Sequence, residues 1–262
     1  MAKIVGKWAL ITGASSGFGV EFAAVLGGLK SNLILAARRT EPMEKLATDL
    51  RARYGIQVVV ERIDLTCDGA AQQLKSRLDR RNIVVDILVN NAGFGLFGDF
   101  LDQPVDKIRQ MLQLNVTALT ELTYAFAADM KQRRSGYVLL VGSVLGFLST
   151  PAYASYAATK AYVLQFGEAL HSELKPFGIG VTVLAPGMAA TSFADVSGQD
   201  ISSPLFKMMQ MKPRPVVEIG IKAMLARRAT VVPGLLNKIS VGSNRITPRS
   251  LQRGLMGRMM KA

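Results

Sequence analysis

Short apolar runs alternate with longer amphipathic stretches along most of the chain. The apolar runs are continuous rather than alternating with polar residues, which is typical of strands covered on both faces. We therefore predict buried strands over residues 8–12, 33–36, 58–63, 87–90, 137–142 and 181–185. Helical periodicity predicts helices over residues 17–29, 42–54, 70–82, 105–133 and 155–177.

This alternation predicts the fold class. Strands separated by helices of this length form βαβ units, and hence a parallel sheet with helices on both faces. Because such crossovers are right-handed, we expect a doubly wound, Rossmann-type α/β fold. No Pro/Gly/Ser-rich linker or internal repeat divides the sequence. We therefore expect one domain over residues 1–243, followed by a separate helix over 244–262.

The connection between the first predicted strand and the first predicted helix is Thr12-Gly13-Ala14-Ser15-Ser16-Gly17-Phe18-Gly19. Glycine lets the backbone turn tightly and approach a pyrophosphate, and the N–H groups at a helix start stabilise its negative charge. The spacing is G-x-x-x-G-x-G rather than the common G-x-G-x-x-G, and the alternative is a tight turn without a ligand. The position directly after a buried strand favours a phosphate site, whose binding residues are predicted to be Gly13, Ser15, Ser16, Gly17, Phe18 and Gly19.

The end of the second predicted strand distinguishes the two nicotinamide cofactors. An acidic residue there would bind the ribose 2′-hydroxyl of NAD(H), whereas arginine accommodates the 2′-phosphate of NADP(H). The strand ends in Ala37-Arg38-Arg39 without a carboxylate. Arginine pairs bidentately with phosphate and stacks on adenine. We predict NADP(H) as the cofactor, with Arg38 favoured over Arg39 as the main contact.

Tyr156 and Lys160 are four residues apart at the start of a predicted helix, so both side chains project from one face. A tyrosine has a pKa of about 10, which is too high for easy proton exchange at neutral pH. A lysine ammonium close by would lower that pKa and make Tyr156 a general acid/base. Ser143, at the end of a predicted strand, could bind the substrate oxygen. The same spacing is common in helices without a catalytic role.

The complete set of motifs resembles the short-chain dehydrogenase/reductase family. The set comprises the glycine loop, Asn90-Asn91-Ala92-Gly93, Asn115, Ser143, Tyr156-x-x-x-Lys160 and Pro186-Gly187, over roughly residues 5–195. The resemblance implies a sheet of about seven strands, with a further strand near residues 230–233. The strand end Leu-Ala-Ala-Arg-Arg and the segment 231–238 are similar to bacterial DltE-like and 3-oxoacyl-type reductases.

The resemblance also implies roles for individual residues. Tyr156 would be the acid/base, Lys160 would lower its pKa and hold the nicotinamide ribose, and Ser143 would position the carbonyl. Asn115 would hold a water in a proton relay. The remaining cofactor contacts would be Asp64 and Leu65 at the adenine, Asn91, Ala92 and Gly93 along the cofactor wall, and Pro186, Gly187 and Thr191 at the nicotinamide. No metal is expected.

Two functions are consistent with these residues. The first is an NADP(H)-dependent oxidoreductase that reduces an apolar ketone such as a 3-oxoacyl thioester, or oxidises a secondary alcohol. The alternative is a catalytically silent NADP(H)-binding protein, although the Ser/Tyr/Lys set is complete. Met188, Met208, Met209 and Met211 flank the segment 191–213 and are either core residues or part of a substrate lid. The resemblance further implies a homodimer or homotetramer through helices 105–133 and 155–177.

Composition and the start of the chain predict a cytoplasmic protein. Hydrophobic residues make up 49% and charged residues 19% of the chain, as in folded globular proteins. The single cysteine, Cys67, cannot form an internal disulfide, which agrees with a reducing compartment. No signal peptide is predicted, and the uncharged stretches 135–159 and 176–194 contain glycine and proline that argue against spanning helices.

The net charge of +13 is concentrated in the last quarter of the chain. Residues 205–262 hold twelve Lys/Arg and one acidic residue, whereas residues 1–204 hold twenty and eighteen. Cationic and apolar residues alternate after Pro248, which predicts a basic amphipathic helix. This helix could lie on an anionic bilayer, dock an acidic carrier protein or pack against a second subunit, or it could be a solvated face. Nucleic-acid binding is not expected, because no recognition motif or interleaved aromatic residue accompanies the charges.

Overall fold

The computed structural model describes residues 4–191, 193–200, 210–244 and 247–261. Seven parallel strands form one sheet in the order β3-β2-β1-β4-β5-β6-β7. The strands are β1 Trp8–Thr12, β2 Asn32–Ala37, β3 Val58–Arg62, β4 Val85–Asn90, β5 Gly136–Val141, β6 Ile179–Leu184 and β7 Thr230–Val231. The predicted doubly wound α/β fold is confirmed.

The helices alternate with the strands in chain order. They are α1 Gly17–Gly28, α2 Thr40–Tyr54, α3 Ala70–Arg80, α4 Val105–Leu112, α5 Leu119–Arg133, α6 Ala154–Leu174, α7 Phe193–Ser197, α8 Pro213–Leu225, α9 Leu235–Ser243 and α10 Arg249–Lys261. Short 3-10 turns occupy Phe100–Asp102, Val144–Phe147 and Lys175–Phe177. Helix α10 lies within the segment predicted as the basic amphipathic helix. Its separation from a domain over 1–243 stays a prediction.

Successive residues of β1 explain why the strands are mainly apolar. Ala9 and Ile11 are buried in the core cluster that includes Phe22 of α1 and Val216 of α8. Leu10 belongs to a second cluster, together with helices α3, α5 and α6. Because successive side chains of a strand point to opposite faces, both faces of the sheet are covered at β1, which favours apolar residues there.

Two predicted helices differ from those observed. The helix predicted over 105–133 is divided by a π-helical turn over Gln113–Ala118, between α4 and α5. The helix predicted over 155–177 is α-helical only to Leu174 and tightens into a 3-10 turn. That turn ends at Gly178, whose φ of 72° is the left-handed conformation that glycine adopts at low cost. Hydrophobic periodicity predicted the helices but not these changes of pitch.

The order of the strands creates one crevice. The chain builds β2 and β3 on one side of β1 and then crosses to β4 on the other side, so β1 and β4 form the switch point. In open α/β sheets, ligands bind outside the carboxyl ends of the strands at such a point. Thr12 and Asn90 end these two strands, and the predicted motifs come directly after them. The fold therefore brings the glycine loop and the 91–93 segment together.

The C-terminal part of the described chain covers one face and extends beyond it. Helix α8 packs beside α1, whereas α9 and α10 expose several large aliphatic side chains. The backbone N–H of Met211 donates a hydrogen bond to the carbonyl oxygen of Met188 at 2.9 Å. Met208 and Met209 lie outside the described residues. Among the residues that the structure describes, no helix has the length and apolar character needed to cross a bilayer.

Candidate active site

The glycine loop approaches the 91–93 segment so closely that side chains are excluded. Gly13 has a φ of 66°, and a Cβ there would lie 2.9 Å from the Cα of Ala92. At Gly19, a Cβ would overlap the carbonyl oxygen of Gly13 and lie 2.8 Å from the Cα of Ala14. Ser16 precedes α1 without a side-chain hydrogen bond that caps the helix. The first turn of α1 therefore presents backbone N–H groups and a positive dipole end, which suit a phosphate group.

Two arginines lie at the adjoining end of β2. The guanidinium of Arg39 donates to Ser15 Oγ at 3.2 Å, so this side chain contacts the glycine loop. Burial alone would raise the pKa of Asp64, but hydrogen bonds from Thr66 and the charge of Arg38 hold it below its usual value. Both arginines are exposed. The preference for Arg38 over Arg39 stays a prediction.

Thr12 joins the ends of β1 and β4. Its Oγ1 accepts hydrogen bonds from the backbone N–H groups of Asn91 and Ala92, both at 3.0 Å. The Asn91 side chain returns a bond from Nδ2 to the carbonyl oxygen of Thr12 at 2.8 Å. Leu65, at the adjoining end of β3, is buried. Asn91 and Ala92 are therefore held against the end of β1. Their cofactor role stays a prediction.

Asn115 lies in the π-helical turn and is buried. Its Nδ2 donates to the carbonyl oxygen of Phe94 at 2.9 Å and to Thr159 Oγ1 at 3.2 Å, and its Oδ1 accepts from Phe94 N at 3.1 Å. Gly93 permits this approach, because a Cβ there would lie 2.9 Å from Oδ1. Single π-helical turns within helices occur frequently at functional sites. The water relay predicted for Asn115 stays a prediction.

Ser143 and Tyr156 meet at the carboxyl end of β5. The Oγ of Ser143 accepts from Leu145 N at 3.1 Å, which fixes the start of the adjoining 3-10 turn. The Ser143 hydroxyl lies close enough to the Tyr156 phenol to lower its pKa against the effect of burial. Tyr156 lies in the first turn of α6 and is 7% exposed. A carbonyl oxygen placed between these two hydroxyl groups would be positioned by both.

Lys160 lies one turn later on α6 and is also buried. Its Nζ donates to the carbonyl oxygen of Val141 at 2.7 Å and lies 5.7 Å from the centre of the Tyr156 ring. Burial lowers the pKa of Lys160 to about 8. The ammonium group therefore sits beside the phenol but is hydrogen-bonded to the backbone of β5.

The predicted lowering of the Tyr156 pKa is wrong for this arrangement. Burial raises the pKa of the Tyr156 phenol above its usual value, the nearby phenol of Tyr153 adds to the rise, and the hydrogen bond with Ser143 opposes it. Desolvation disfavours the phenolate, and the Lys160 ammonium is directed to Val141 rather than to the phenol oxygen. Tyr156 is therefore held in its protonated form, which can donate a proton.

The predicted nicotinamide contacts lie after β6. The carbonyl oxygen of Pro186 accepts from Val144 N at 2.9 Å, which ties this loop to the Ser143 turn. A Cβ at Gly187 would lie 2.5 Å from the Asn237 side chain of α9. The Thr191 side chain lies 3.5 Å from the position of a Cβ at Gly17. The segment after β6 therefore reaches back to the glycine loop.

Sequence reasoning missed an aromatic cluster around Tyr156. The ring of Tyr156 lies 5.6 Å from that of Tyr153 and 5.2 Å from that of Phe193, and Tyr153 lies 5.2 Å from Phe97. Met111 of α4 is buried in the same cluster. Aromatic residues after the Gly93 and Thr191 motifs were a visible signal, but their packing depends on four separate segments.

The described part of the chain contains no group of three His, Cys, Asp or Glu side chains arranged to hold a metal ion. The crevice instead presents hydroxyl, ammonium and amide groups. Its two ends suit a phosphate-bearing cofactor at the glycine loop and proton transfer at Tyr156.

The sequence profile of the short chain dehydrogenase family matches residues 7–202. Among curated relatives, a very-long-chain 3-oxoacyl-CoA reductase of Phaeosphaeria nodorum is 32% identical over 197 residues. That match covers 73% of this chain and 57% of the relative. The chain therefore spans little more than half the length of this relative.

Two solved structures resemble nearly the whole chain. One is a short-chain dehydrogenase from Sphingobium yanoikuyae in complex with NADPH, at a TM-score of 0.83 and 32% identity, covering 92% of this chain and 93% of the other. The second is a bulky-bulky ketone specific alcohol dehydrogenase from Comamonas testosteroni, at a TM-score of 0.78 and 31% identity, with the same coverage.

Proposed function

This chain belongs to the short-chain dehydrogenase family, and we propose that it is an NADP(H)-dependent oxidoreductase that reduces a ketone or oxidises a secondary alcohol. The proposal is carried by three buried side chains: Ser143 after β5, Tyr156 in the first turn of α6, and Lys160 one turn later on α6. Two hydroxyl groups can hold a carbonyl oxygen, and a protonated phenol can donate to it. These residues meet beside the glycine loop, where a cofactor would supply the hydride.

The residues of the cofactor end fit a dinucleotide with a 2′-phosphate. Gly13 and Gly19 leave no room for side chains, so the backbone itself forms the cradle. The uncapped start of α1 suits the pyrophosphate, and Arg38 and Arg39 supply cations for the 2′-phosphate. The NADPH complex of the Sphingobium yanoikuyae relative supports the same cofactor. When bound, NADP(H) would exchange a hydride with the substrate carbon.

The protein side chains account for the proton and for orientation. Tyr156 would donate its phenolic proton to the carbonyl oxygen as the alcohol forms, and Ser143 would hold that oxygen in place. Burial lowers the pKa of Lys160 to about 8. The ammonium group of Lys160 lies beside the cofactor crevice. Asn115 fixes the 94–95 backbone through two hydrogen bonds to Phe94.

The aromatic cluster supports an apolar substrate. Tyr153, Phe97 and Phe193 surround the buried phenol that contacts Ser143. The relatives named for 3-oxoacyl-CoA and for bulky ketones point to the same class. The substrate is therefore a ketone with an apolar chain or ring, such as a 3-oxoacyl thioester.

The test measures NADPH oxidation with a panel of 3-oxoacyl thioesters, steroid ketones and small ketones, using the wild-type chain and Ser143→Ala. We expect turnover of the apolar ketones by the wild type and a large loss in the variant. Tight NADPH binding without turnover of any carbonyl would support the catalytically silent alternative, which the intact Ser/Tyr/Lys set and the oxidoreductase relatives do not favour.

We also propose that the chain forms a homodimer through α4, α5 and α6. Tyr124 of α5 is 80% exposed, and Leu112 and Tyr162 are partly exposed on neighbouring segments. Tyr162 stacks on Phe166 and bonds Thr120, so the face is ordered and apolar. Light scattering should give twice the chain mass for the wild type and the single mass for Tyr124→Glu. A monomeric wild type would contradict the proposal.

We further propose that α9 and α10 lie on an anionic lipid surface at the cytoplasmic side. Leu235, Leu236 and Ile239 are exposed on α9, and Leu251 and Leu255 on α10. Lys238, Arg249 and Arg253 are also exposed, and none belongs to an ion pair among the described residues. Exposed aliphatic residues beside unpaired cations are typical of interfacial helices.

Flotation with vesicles tests this surface. We expect the full chain to bind phosphatidylserine vesicles but not phosphatidylcholine vesicles, and to lose binding in high salt or after deletion of residues 244–262. Binding that is independent of lipid charge and of the deletion would contradict the proposal. Salt-sensitive binding to an acidic carrier protein with no flotation would assign the surface to that partner instead.

A further inference from the structure

Tyr153 makes contacts that its position in the sequence does not explain. It directly precedes α6 and is only 2% exposed. Its hydroxyl donates to Gln199 Oε1 at 2.9 Å and lies 3.2 Å from Ser197 Oγ. Both partners belong to α7 or lie just after it, more than forty residues away along the chain. The buried hydroxyl of Tyr153 therefore connects the start of α6 to the segment after β6.

The ring of Tyr153 contacts the residues on either side of this connection. It lies 5.2 Å from the Phe97 ring and 5.6 Å from the Tyr156 ring. Phe97 N donates to the carbonyl oxygen of Ser197 at 2.9 Å, so the 94–98 loop is bonded to α7 as well. Tyr153 thus stands between the acid/base residue, the 94–98 loop and α7.

Helix α7 in turn places Phe193 against Tyr156. The two rings are 5.2 Å apart, and a Cβ at Gly95 would lie 2.6 Å from the Phe193 ring. Ser197 Oγ also bonds the carbonyl oxygen of Ala194 at 3.1 Å, which stabilises this short helix internally. Helix α7 therefore forms part of the surroundings of the Tyr156 phenol.

We propose that Tyr153 is a positioning residue whose hydroxyl holds α7 in place as the wall of the site for the larger group of the ketone. This role rests on the proposed carbonyl chemistry. It assigns to Tyr153 the binding of bulky substrates, whereas proton transfer remains with Tyr156. Loss of the hydroxyl weakens a wall that contacts the substrate equally before and during the reaction, so it affects KM rather than kcat.

The first experiment compares Tyr153→Phe with the wild type, using one bulky and one small ketone. The phenylalanine ring preserves the contacts with the Phe97 and Tyr156 rings and removes only the hydrogen bonds. Because one hydrogen bond contributes roughly two- to ten-fold to an equilibrium, we expect KM for the bulky ketone to rise by about five-fold. The kcat and the KM for the small ketone should change by less than about two-fold. Equal effects on both ketones, or none, would overturn the proposal.

Two variants identify the partners of the hydroxyl. Gln199→Leu and Ser197→Ala should each reproduce part of the rise in KM, and combining Tyr153→Phe with Gln199→Leu should add little to Tyr153→Phe alone. Tyr54→Phe is the matched control, because Tyr54 ends α2 and its ring packs against Gly28, away from α7. Additive effects of Tyr153→Phe and Gln199→Leu would show that the two residues act separately.

A measurement independent of activity separates this proposal from the proposed function. Hydrogen exchange of the backbone amides in 193–198 should be about five-fold faster in Tyr153→Phe than in the wild type, with exchange in β5 unchanged. Unchanged exchange in 193–198 would overturn the role of Tyr153 even if ketones are reduced. Faster exchange in a protein that reduces no ketone would contradict the proposed function while the connection itself stands.

Discussion

One end of the crevice is formed mainly by the protein backbone, and the other end is formed mainly by side chains. At the glycine loop, the backbone comes so close to the 91–93 segment that side chains are excluded, and the outer cations Arg38 and Arg39 are exposed. At Tyr156, the site consists of buried side chains from α4 and α6, with partly buried aromatic side chains from the 94–97 loop and α7 packed against them. A backbone site depends on space, whereas a side-chain site depends on protonation and packing. Substitutions at the two ends should therefore fail in different ways.

The largest expected effect is at the buried end, in Tyr156→Phe. The change removes the proton donor and keeps the ring, so kcat for ketone reduction should fall by about 10³-fold. NADPH affinity, measured by fluorescence titration, should stay within about two-fold, because the glycine loop is intact. If the variant kept more than about a tenth of the wild-type kcat, another group would have to be the proton donor, and the two ends of the crevice would no longer differ as described.

Lys160 gives the next effect, which depends on pH. Its pKa of about 8 when folded lies below its ordinary value of 10.5, so the unfolded chain binds more protons between these pH values. Stability therefore rises with pH in that window, and the cost of the buried charge is fully present below pH 8. Burial raises the pKa values of Tyr156 and Tyr153, so above their ordinary value of 10 the unfolded chain loses its phenolic protons first. Stability therefore falls as the pH rises in that range, and the trend reverses.

Chemical denaturation of the wild type and Lys160→Met between pH 8 and 10 measures this contribution. The free energy of unfolding of the wild type should gain up to about 3 kcal/mol relative to the variant across the window. Parallel pH profiles for the two proteins would show that Lys160 is not desolvated in solution.

Gly19→Ala tests the backbone end. The added Cβ would overlap the carbonyl oxygen of Gly13, so the loop must shift. We expect a loss of roughly 2 kcal/mol in stability and about ten-fold weaker NADPH binding. Gly242→Ala in α9 is the matched control, since a Cβ there has no neighbour within 4 Å. Equal behaviour of the two variants would contradict the close approach.

The smallest effect concerns the choice of cofactor. Arg38→Ala should weaken NADPH binding by about ten-fold and leave NADH binding within about two-fold, because only the 2′-phosphate loses a charged partner. Arg39→Ala should have the weaker effect of the two, although its guanidinium contacts Ser15. A wild type with equal affinity for both cofactors would refute the preference for NADP(H).

The same contrast explains what could be predicted from the sequence. The glycine loop, the 91–93 motif and the Tyr156/Lys160 pair are local patterns, and the β1/β4 switch point brings them together as parallel topology requires. The six longer strands were predicted because their side chains are mostly apolar and pack into the two core clusters on either side of the sheet. The seventh, Thr230–Val231, is shorter than expected and only partly buried.

The buried end was predicted only in part, because it depends on contacts between distant segments. Tyr153 has no lysine partner four residues later, yet its hydroxyl donates to Gln199 and its ring packs at a tilt against that of Tyr156. The direction of the Tyr156 pKa shift also depends on burial, which residue spacing does not report. The spacing of two residues in the sequence predicts whether their side chains are neighbours. The desolvation of a side chain, in contrast, depends on all of the residues packed around it.

The π-helical turn between α4 and α5 has a consequence for chain length. Each residue added to a helix rotates the segment before it by about 100° relative to the segment after it. Within this turn Asn115 reaches Phe94, while Met111 of α4 still enters the Tyr156 cluster. A one-residue deletion in 113–118 would leave a longer regular helix and turn one of these side chains away. Homologues that share this site should therefore align here without gaps, whereas loops elsewhere can vary in length.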